Sequence, residues 1–300
     1  MAITVRQIHP LFVGEVTGVD LSKPLDAATK AEINQAIYQH AVLVFPNQPL
    51  SDPDQIAFSE HFGPLETSIR KLREDNKDRL DLRVSDISNL NHKNELLGRH
   101  ERRHATLLAN QLWHTDSSFK KVPARYSLLS ARVVPPEGGE TEFVDLRAAY
   151  DSLPAKLKAR IDDLVCEHYY LYSRGLIGFT DFDATERANL EPVQQVLVRV
   201  HPGSGRKTLY LASHASHIIG WPVPDGRMLL RELTEHATHP DRIYRHTWKV
   251  GDLVMWDDRC TMHRGRPWDP GHVRDMHRTT VSDECSTLDQ RATMREAVSA

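Results

Sequence analysis

Residues 251–265, GDLVMWDDRCTMHRG, do most to decide the fold. A turn at Gly251 and Asp252 leads into an apolar strand that ends at Trp256. A tight DDR turn follows, and His263 lies in the next segment, CTMHRG. Short apolar strands punctuated by tight turns are typical of β-sandwiches and jelly rolls. The stretch therefore indicates a mostly β protein.

Similar β-rich segments recur from about residue 107 onward. The predicted strands are 105–116, 124–135, 140–145, 194–201, 207–212, 242–249, 252–257 and 277–282. The predicted helices are 26–41, 51–63, 146–164 and 226–237. The chain shows no βαβαβ alternation and no GxGxxG motif, which disfavours a Rossmann fold. This pattern predicts strands with flanking helices and leaves a sandwich and a jelly roll both open.

Composition narrows the class of protein. The 300 residues carry a formal net charge of −3, so no global basic field invites nucleic acid. No uninterrupted apolar run has the length to span a membrane. The three cysteines are far apart and form no CxxC pair, which favours a reducing compartment, with the cytoplasm as the default. We expect one domain over residues 1–283 and a flexible polar tail over 284–300.

Residues 68–106 are dense in charge and contain a short apolar piece. One interpretation is a solvated excursion on the surface of the domain. The other is a mobile cationic flap that covers a pocket for an anion, because long loops in compact domains often carry function. Exposed β edges and mobile flaps also leave homo-oligomerisation open.

The candidate metal ligands begin with His114 and Asp116. On the predicted strand, two residues two apart point to the same side. One further histidine would complete a two-histidine, one-carboxylate triad, which leaves coordination positions open and suits non-haem Fe(II). A second HxD pair, His239 and Asp241, flanks a proline where a helix runs out, and we interpret it as a turn.

Two arginines alternate on one predicted strand. Arg274, Met276, Arg278 and Thr280 would share a face. Guanidinium groups bind carboxylates bidentately, so two arginines near a metal indicate two anionic ligands. The alternative is a pair of exposed arginines on an edge strand.

Four segments together resemble the taurine dioxygenase family of Fe(II)/2-oxoglutarate-dependent oxygenases. They are WHTDSSF, PPEGGETEF, WDDRCTMHRGRP and RDMHRTTV. The resemblance spans roughly residues 8–282 and is greatest to the 2,4-dichlorophenoxyacetate (2,4-D) dioxygenases. It implies a double-stranded β-helix, the jelly roll. The sequence departs from the family at Asp258, where the familiar motif has asparagine.

The resemblance also implies site residues. It implies iron binding by His114, Asp116 and His263. It implies three residues on the cosubstrate side. Arg274 would pair with the distal carboxylate of 2-oxoglutarate, and Thr141 would donate a hydrogen bond to the same molecule. Trp256 would lie near the side of the iron that O₂ occupies. It implies substrate contacts, with Arg278 holding the acid and the pocket lined by Asn110, Ser117, Lys71, His214 and His217.

The implied activity is hydroxylation of the carbon next to the carboxylate of an aryloxyacetate. Fe(II) would be the cofactor, and 2-oxoglutarate and O₂ would be consumed as cosubstrates. A phenol, glyoxylate, succinate and CO₂ would be released. The expected partner is a small anionic aromatic substrate, with neither nucleic acid nor a membrane. One alternative is the same chemistry on a sulfonate such as taurine or on another small aromatic acid. The other is a jelly-roll binding module without turnover.

Overall fold

The computed structural model describes residues 2–67, 79–98 and 101–299. In these residues a larger sheet carries seven strands. Their order is Thr4–Gln7 (β1), Gly14–Thr17 (β2), Val42–Phe45 (β3), Leu253–Asp257 (β13), Ala124–Val133 (β5), Asp275–Ser282 (β15) and Ser85–Asp86 (β4). All neighbouring pairs are antiparallel except β2 and β3.

A smaller antiparallel sheet faces the larger one. Its strands are Tyr244–His246 (β12), Thr141–Asp145 (β6) and Thr261–Gly265 (β14), with β6 in the middle. Further small sheets consist of Val165–His168 (β7), Val193–Val196 (β8) and Ala215–Ile218 (β11), and of Val198–Val200 (β9) and Lys207–Leu209 (β10). Two facing antiparallel sheets form the barrel-like sandwich of a jelly roll.

Helices pack on the outside of both sheets. They are Ala27–His40 (α1), Asp52–Glu60 (α2), Arg102–Leu108 (α3), Leu146–Asp151 (α4), Ala155–Ile161 (α5), Tyr170–Gly175 (α6), Ala184–Asn189 (α7), Val223–Ala237 (α8) and Thr287–Ser299 (α9). Pro154 separates α4 from α5, so the single helix predicted over 146–164 is two. Within the described part of the chain, no helix combines the length and the apolar character needed to cross a bilayer.

Strand alternation places the core. On β3, Val42 and Val44 face the smaller sheet and contribute to a cluster that contains Phe143 and Trp256. Their neighbours Leu43 and Phe45 face the other way, against α1 and α2. Because side chains alternate along a strand, the larger sheet is buried on both faces. The site described below lies between the two sheets.

The strand predicted over residues 105–116 is wrong. Its first part is α3, followed by a 3-10 turn over Ala109–Gln111. Short apolar runs do not distinguish a strand from a helix by periodicity, and alanine and leucine are good helix formers. His114 makes only an isolated bridge, and Asp116 lies in a turn just before Ser117, whose φ is +51°.

The described part of residues 284–300 contains α9. The flexibility expected of this tail stays a prediction. The Thr287 hydroxyl donates to Gln195 at 2.6 Å, and the Gln290 amide donates to Asp283 at 2.8 Å. These hydrogen bonds to buried residues attach the start of the helix to the domain.

A buried ionic cluster ties β15 to its surroundings. His277 lies 2.5 Å from Asp52 on α2 and 3.2 Å from Asp275. Asp275 also pairs with Arg79, and Asp52 pairs with Arg132. Burial acts to lower the pKa of His277, but hydrogen bonds to the two carboxylates raise it above its usual value.

This cluster predicts a pH dependence of stability. A raised pKa in the folded state gives stability that is present at low pH and lost as pH rises through the folded pKa of His277. We expect His277→Gln to lower the free energy of unfolding by about 2 kcal/mol near pH 6. The deficit should shrink toward pH 9, as measured by urea unfolding at several pH values. A deficit that is equal at both ends of this range would contradict the assignment.

Candidate active site

Backbone pairing brings the two candidate histidine ligands together. His263 lies on β14, with its ring on the inner face beside Phe143. The N–H of His114 donates to the carbonyl of His263 at 3.0 Å, and the reciprocal bond is 2.9 Å. This bridge extends the smaller sheet by one residue. The imidazole centroids are 4.2 Å apart as a result.

Asp116 completes the triad from the turn that follows. His114, Asp116 and His263 each offer a ligand atom within 4.8 Å of the others, and all three are buried. The Nε2 atoms of the two histidines lie 3.8 Å and 3.7 Å from the Asp116 carboxylate. A second buried group, His201, Asp257 and Cys260, is also compact, but Arg259 already neutralises its carboxylate at 2.6 Å.

The protonation states suit a divalent metal. The Nδ1 atom of His114 lies 2.7 Å from the carbonyl of Leu112, which fixes the proton on Nδ1 and leaves Nε2 free to coordinate. Burial lowers the pKa of His114 and of His263, so both rings are neutral. Burial opposes the ionisation of Asp116, but the charge of Arg278 and a hydrogen bond from Ser127 help to lower its pKa to about 2. Two neutral imidazoles and one carboxylate fit non-haem Fe(II).

Arg274 lies at the inner end of a cavity next to the triad. Its Nε donates to the carbonyl of Gly139 at 3.1 Å, and its guanidinium lies over the Trp268 ring at 5.2 Å. Gly139 has φ +71°, and an added Cβ there would lie 3.1 Å from Arg274. Among the described residues no carboxylate pairs with Arg274, and burial lowers its pKa to about 10. This buried cation lacks an anion.

Two other predicted cosubstrate contacts, Thr141 and Trp256, and one predicted substrate contact, Asn110, line the same cavity. Thr141 on β6 contributes a hydroxyl that accepts a hydrogen bond from Trp248 at 3.0 Å. Trp256 is fully buried, with its ring centroid 4.6 Å from that of His263. Asn110 lies at the boundary, because it also lines a second cavity on the other side of His114.

The second cavity has a charged side and an aromatic side. Arg278 on β15 donates to Asp116 at 2.5 Å, and Ser117 lies near it. His214, Phe119 and Tyr170 form the aromatic wall. Phe119 contacts His214 and Tyr170 with centroid distances of 4.9 Å and 4.8 Å. This arrangement can hold an acid at one end and a ring at the other.

Two predicted substrate contacts are not placed in this cavity. The ring of His217 lies 3.7 Å from Glu167 and is not among the described residues that line the cavity. Lys71 lies outside the described residues. The Phe119–Tyr170 wall and Arg174 were not predicted, because they occur in a loop and a short helix without a recognisable spacing. Aromatic residues around 169–172 were the one visible signal in the sequence.

Asp258, the departure from the family motif, holds the triad in position. Its Oδ1 accepts from the backbone N–H of Asp116 at 3.1 Å and from the Trp256 indole at 3.0 Å. Burial, and then the charge of Asp116, raise the pKa of Asp258 well above its usual range. Its other oxygen has no hydrogen-bond partner among the described residues.

An asparagine could keep both accepted hydrogen bonds without the second charge. We therefore expect Asp258→Asn to raise the free energy of unfolding of the metal-free protein by about 1–3 kcal/mol at pH 7, since it removes the cost of burying a second carboxyl group beside Asp116. Urea unfolding in the presence of a chelator measures this change. A loss of stability would show that the carboxylate is preferred at this position.

Comparisons with known proteins agree with this geometry. The family model for the taurine catabolism dioxygenase TauD, TfdA family matches residues 4–280. An alpha-ketoglutarate-dependent 2,4-dichlorophenoxyacetate dioxygenase from Cupriavidus pinatubonensis is 48% identical over 284 residues, covering 95% of this chain and 99% of the relative. A (S)-phenoxypropionate/alpha-ketoglutarate-dioxygenase from Sphingobium herbicidovorans is 36% identical, covering 94% of this chain and 96% of the relative.

A solved structure is similar over the same length. The crystal structure of AAD-2 in complex with Mn(II) and N-oxalylglycine superposes with a TM-score of 0.87 at 49% identity. The match covers 96% of this chain and 99% of that chain. This likeness confirms the predicted jelly-roll fold.

Proposed function

Because this chain belongs to the taurine catabolism dioxygenase TauD, TfdA family, we propose that it hydroxylates an aryloxyacetate such as 2,4-D. The chain is a 2-oxoglutarate-dependent non-haem iron dioxygenase that uses Fe(II), 2-oxoglutarate and O₂. Its 48% identical relative carries the name of a 2,4-dichlorophenoxyacetate dioxygenase, which supports the substrate class.

The observation that carries the proposal is the presence of two arginines beside one triad: Arg274 lines the first cavity, and Arg278 lines both cavities. His114, Asp116 and His263 would hold the metal. Arg274, buried without a carboxylate partner, would bind the distal carboxylate of 2-oxoglutarate beside the Thr141 hydroxyl. Arg278 borders the second cavity, where it would hold the acid of the substrate.

When bound, Fe(II) with 2-oxoglutarate and O₂ supplies the oxidation that turns a C–H bond into C–OH and releases succinate and CO₂. One oxygen atom enters the substrate, and the other enters succinate. Hydroxylation of a carbon that bears an aryl ether oxygen gives a hemiacetal. Its collapse breaks the C–O bond and yields a phenol and glyoxylate.

The residues of this chain bind the substrate, orient it and exclude water from it. Arg278 fixes the acid next to Asp116, which places the adjacent carbon near the triad. The aromatic wall of Phe119, Tyr170 and His214 receives the ring and keeps water from that side. His214, Asn110 and Ser117 are proposed as substrate contacts because they line this cavity.

The test is O₂ uptake by anaerobically purified protein supplied with Fe(II) and 2-oxoglutarate. The substrates 2,4-D, phenoxyacetate, cinnamate and taurine are compared, and phenol, sulfite and succinate are measured together. Phenol released in step with succinate is the expected result. Sulfite from taurine without any phenol would move the protein to sulfonate substrates. Uptake uncoupled from all four compounds would overturn the aryloxyacetate proposal.

Location and assembly remain predictions. Cys166 and Cys260 are buried free thiols, which supports a reducing compartment such as the cytoplasm. Dioxygenase activity in the cytoplasmic fraction of the cell would test the location. Light scattering of the purified protein would test homo-oligomerisation.

A further inference from the structure

The second cavity contains a guanidinium that the proposed function does not use. Arg174 lies on α6 and lines this cavity together with Arg278. Its Cζ lies 4.2 Å from the centroid of the Tyr170 ring, and its Nη1 donates to the Ser173 hydroxyl at 3.1 Å. The guanidinium is therefore held in place by a ring face and one neutral hydrogen bond.

Arg174 shares its cavity with two carboxylates, those of Glu66 and Asp116. Each of them pairs with another cation, Glu66 with Lys120 and Asp116 with Arg278. Among the residues that the structure describes, no carboxylate lies within ion-pair distance of Arg174, and its buried Nε has no hydrogen-bond partner. Arg174 is half-buried. Two fully buried arginines do have acidic partners: Arg147 pairs with Asp145 at 2.9 Å, and Arg199 pairs with Asp283 at 3.0 Å. Burying an unpaired charge costs free energy, so a positioned arginine of this kind is expected to meet an acceptor from outside the chain.

The position of Arg174 separates it from the acid anchor. Arg278 comes from β15 and contacts the metal ligand Asp116. Arg174 comes from the other side, as part of the wall that contains Tyr170, whose ring lies 6.1 Å from that of His214 in a stacked arrangement. An acid held by Arg278 would extend its ring toward this wall, and the far end of the ring would meet Arg174.

We propose that Arg174 is a specificity-determining residue that recognises a hydrogen-bond acceptor or an anionic group on the aryl ring, remote from the acid held by Arg278. This proposal rests on the proposed function, because it takes the ring end of an aryloxyacetate as its ligand. Arg278 and Arg174 line one cavity from different elements, which favours a ligand with an acceptor for each guanidinium.

The experiment compares substrates that differ only in the ring substituent. Phenoxyacetate, its methyl derivatives and its carboxyl derivatives substituted at each ring position are bound anaerobically to the enzyme loaded with Fe(II) and 2-oxoglutarate. Calorimetry gives the affinity, and succinate formation gives kcat/KM. The variants are Arg174→Met and Arg174→Lys. Arg227→Met is the matched control, because Arg227 also lies over a tyrosine of α6 but does not line the cavity.

We expect Arg174→Met to weaken the best carboxyl derivative by about 30-fold or more, the effect of truncating one partner of a buried charge pair. The affinity for phenoxyacetate should change less than about threefold, within the range of a surface contact. Arg174→Lys should keep part of the wild-type preference for the carboxyl derivative over phenoxyacetate. Arg227→Met should keep all of it.

Equal losses for phenoxyacetate and the carboxyl derivatives would make Arg174 a second acid anchor and overturn the proposal. Unchanged affinities in Arg174→Met would overturn it as well, while turnover of phenoxyacetate would leave the proposed function standing. If the wild-type protein turned over no aryloxyacetate, the proposed function would fail first and take this proposal with it.

Discussion

His263→Ala is expected to abolish coupled turnover of every substrate. Among the described residues, three candidate ligands meet at this site. The imidazole of His263 is one of them, and its Nε2 lies 3.7 Å from Asp116. Changes to groups that merely orient metal ligands cost about 10–100-fold in affinity or activity, so loss of a ligand should exceed about 100-fold. The measurements are Fe(II) affinity by anaerobic equilibrium dialysis and succinate formation.

The matched control is His217→Ala, because His217 is absent from the described lining of both cavities. This variant should keep Fe(II) affinity and turnover within about twofold of the wild type, as expected for a surface change. If His263→Ala still bound Fe(II) with wild-type affinity, the triad would be misassigned.

Arg274→Ala is the second change with a large expected effect, and it should act on 2-oxoglutarate alone. Removing one partner of a buried charge pair costs about 2–5 kcal/mol, which raises the KM for 2-oxoglutarate by about 30-fold to 4,000-fold. Arg274→Lys should recover only part of this loss, because an ammonium cannot form the bidentate contact of a guanidinium.

Without cosubstrate the effect on stability should have the opposite sign. Burial lowers the pKa of Arg274 to about 10, so the folded protein holds this cation at a cost. Arg274→Met, which keeps an apolar side chain of similar length, should therefore match or exceed the wild type in Tm when 2-oxoglutarate is absent. With saturating 2-oxoglutarate the wild type should be the more stable. The same order of Tm values in both conditions would contradict the assigned role.

The structure brings the three predicted metal ligands together, although the element that carries two of them differs from the predicted strand. His114 and Asp116 were placed on one strand face, yet they converge through an isolated bridge and a turn. Local periodicity does not contain the pairing of His114 with His263, which are far apart in the chain. The alternation of Arg274 and Arg278 was predicted more easily, since a strand fixes facing from sequence alone.

The aromatic wall could not be predicted from the sequence. Tyr170 and Phe119 come from segments that meet only in the folded chain, with ring centroids 4.8 Å apart. Nothing in the spacing of YLYSRG or SSF indicates this contact. Arg174 could be recognised only after the structure showed which arginines line the cavity without an ion pair among the described residues.

Arg278 on β15 and Arg274 just before it are the two acid anchors of the site. Their spacing limits how the substrate range of such an enzyme can change. Arg274 and Arg278 are four residues apart on an extended backbone, so their Cα atoms are separated by on the order of 10 Å. That backbone is held by β5 on one side and by Ser59 and Gln55 of α2 beneath it. The backbone of this strand thus fixes the distance between the two arginine positions, and side-chain substitutions do not alter that distance. Mutations in the wall can widen the choice of ring, while the spacing between the anchor of the cosubstrate and the anchor of the substrate acid stays the same.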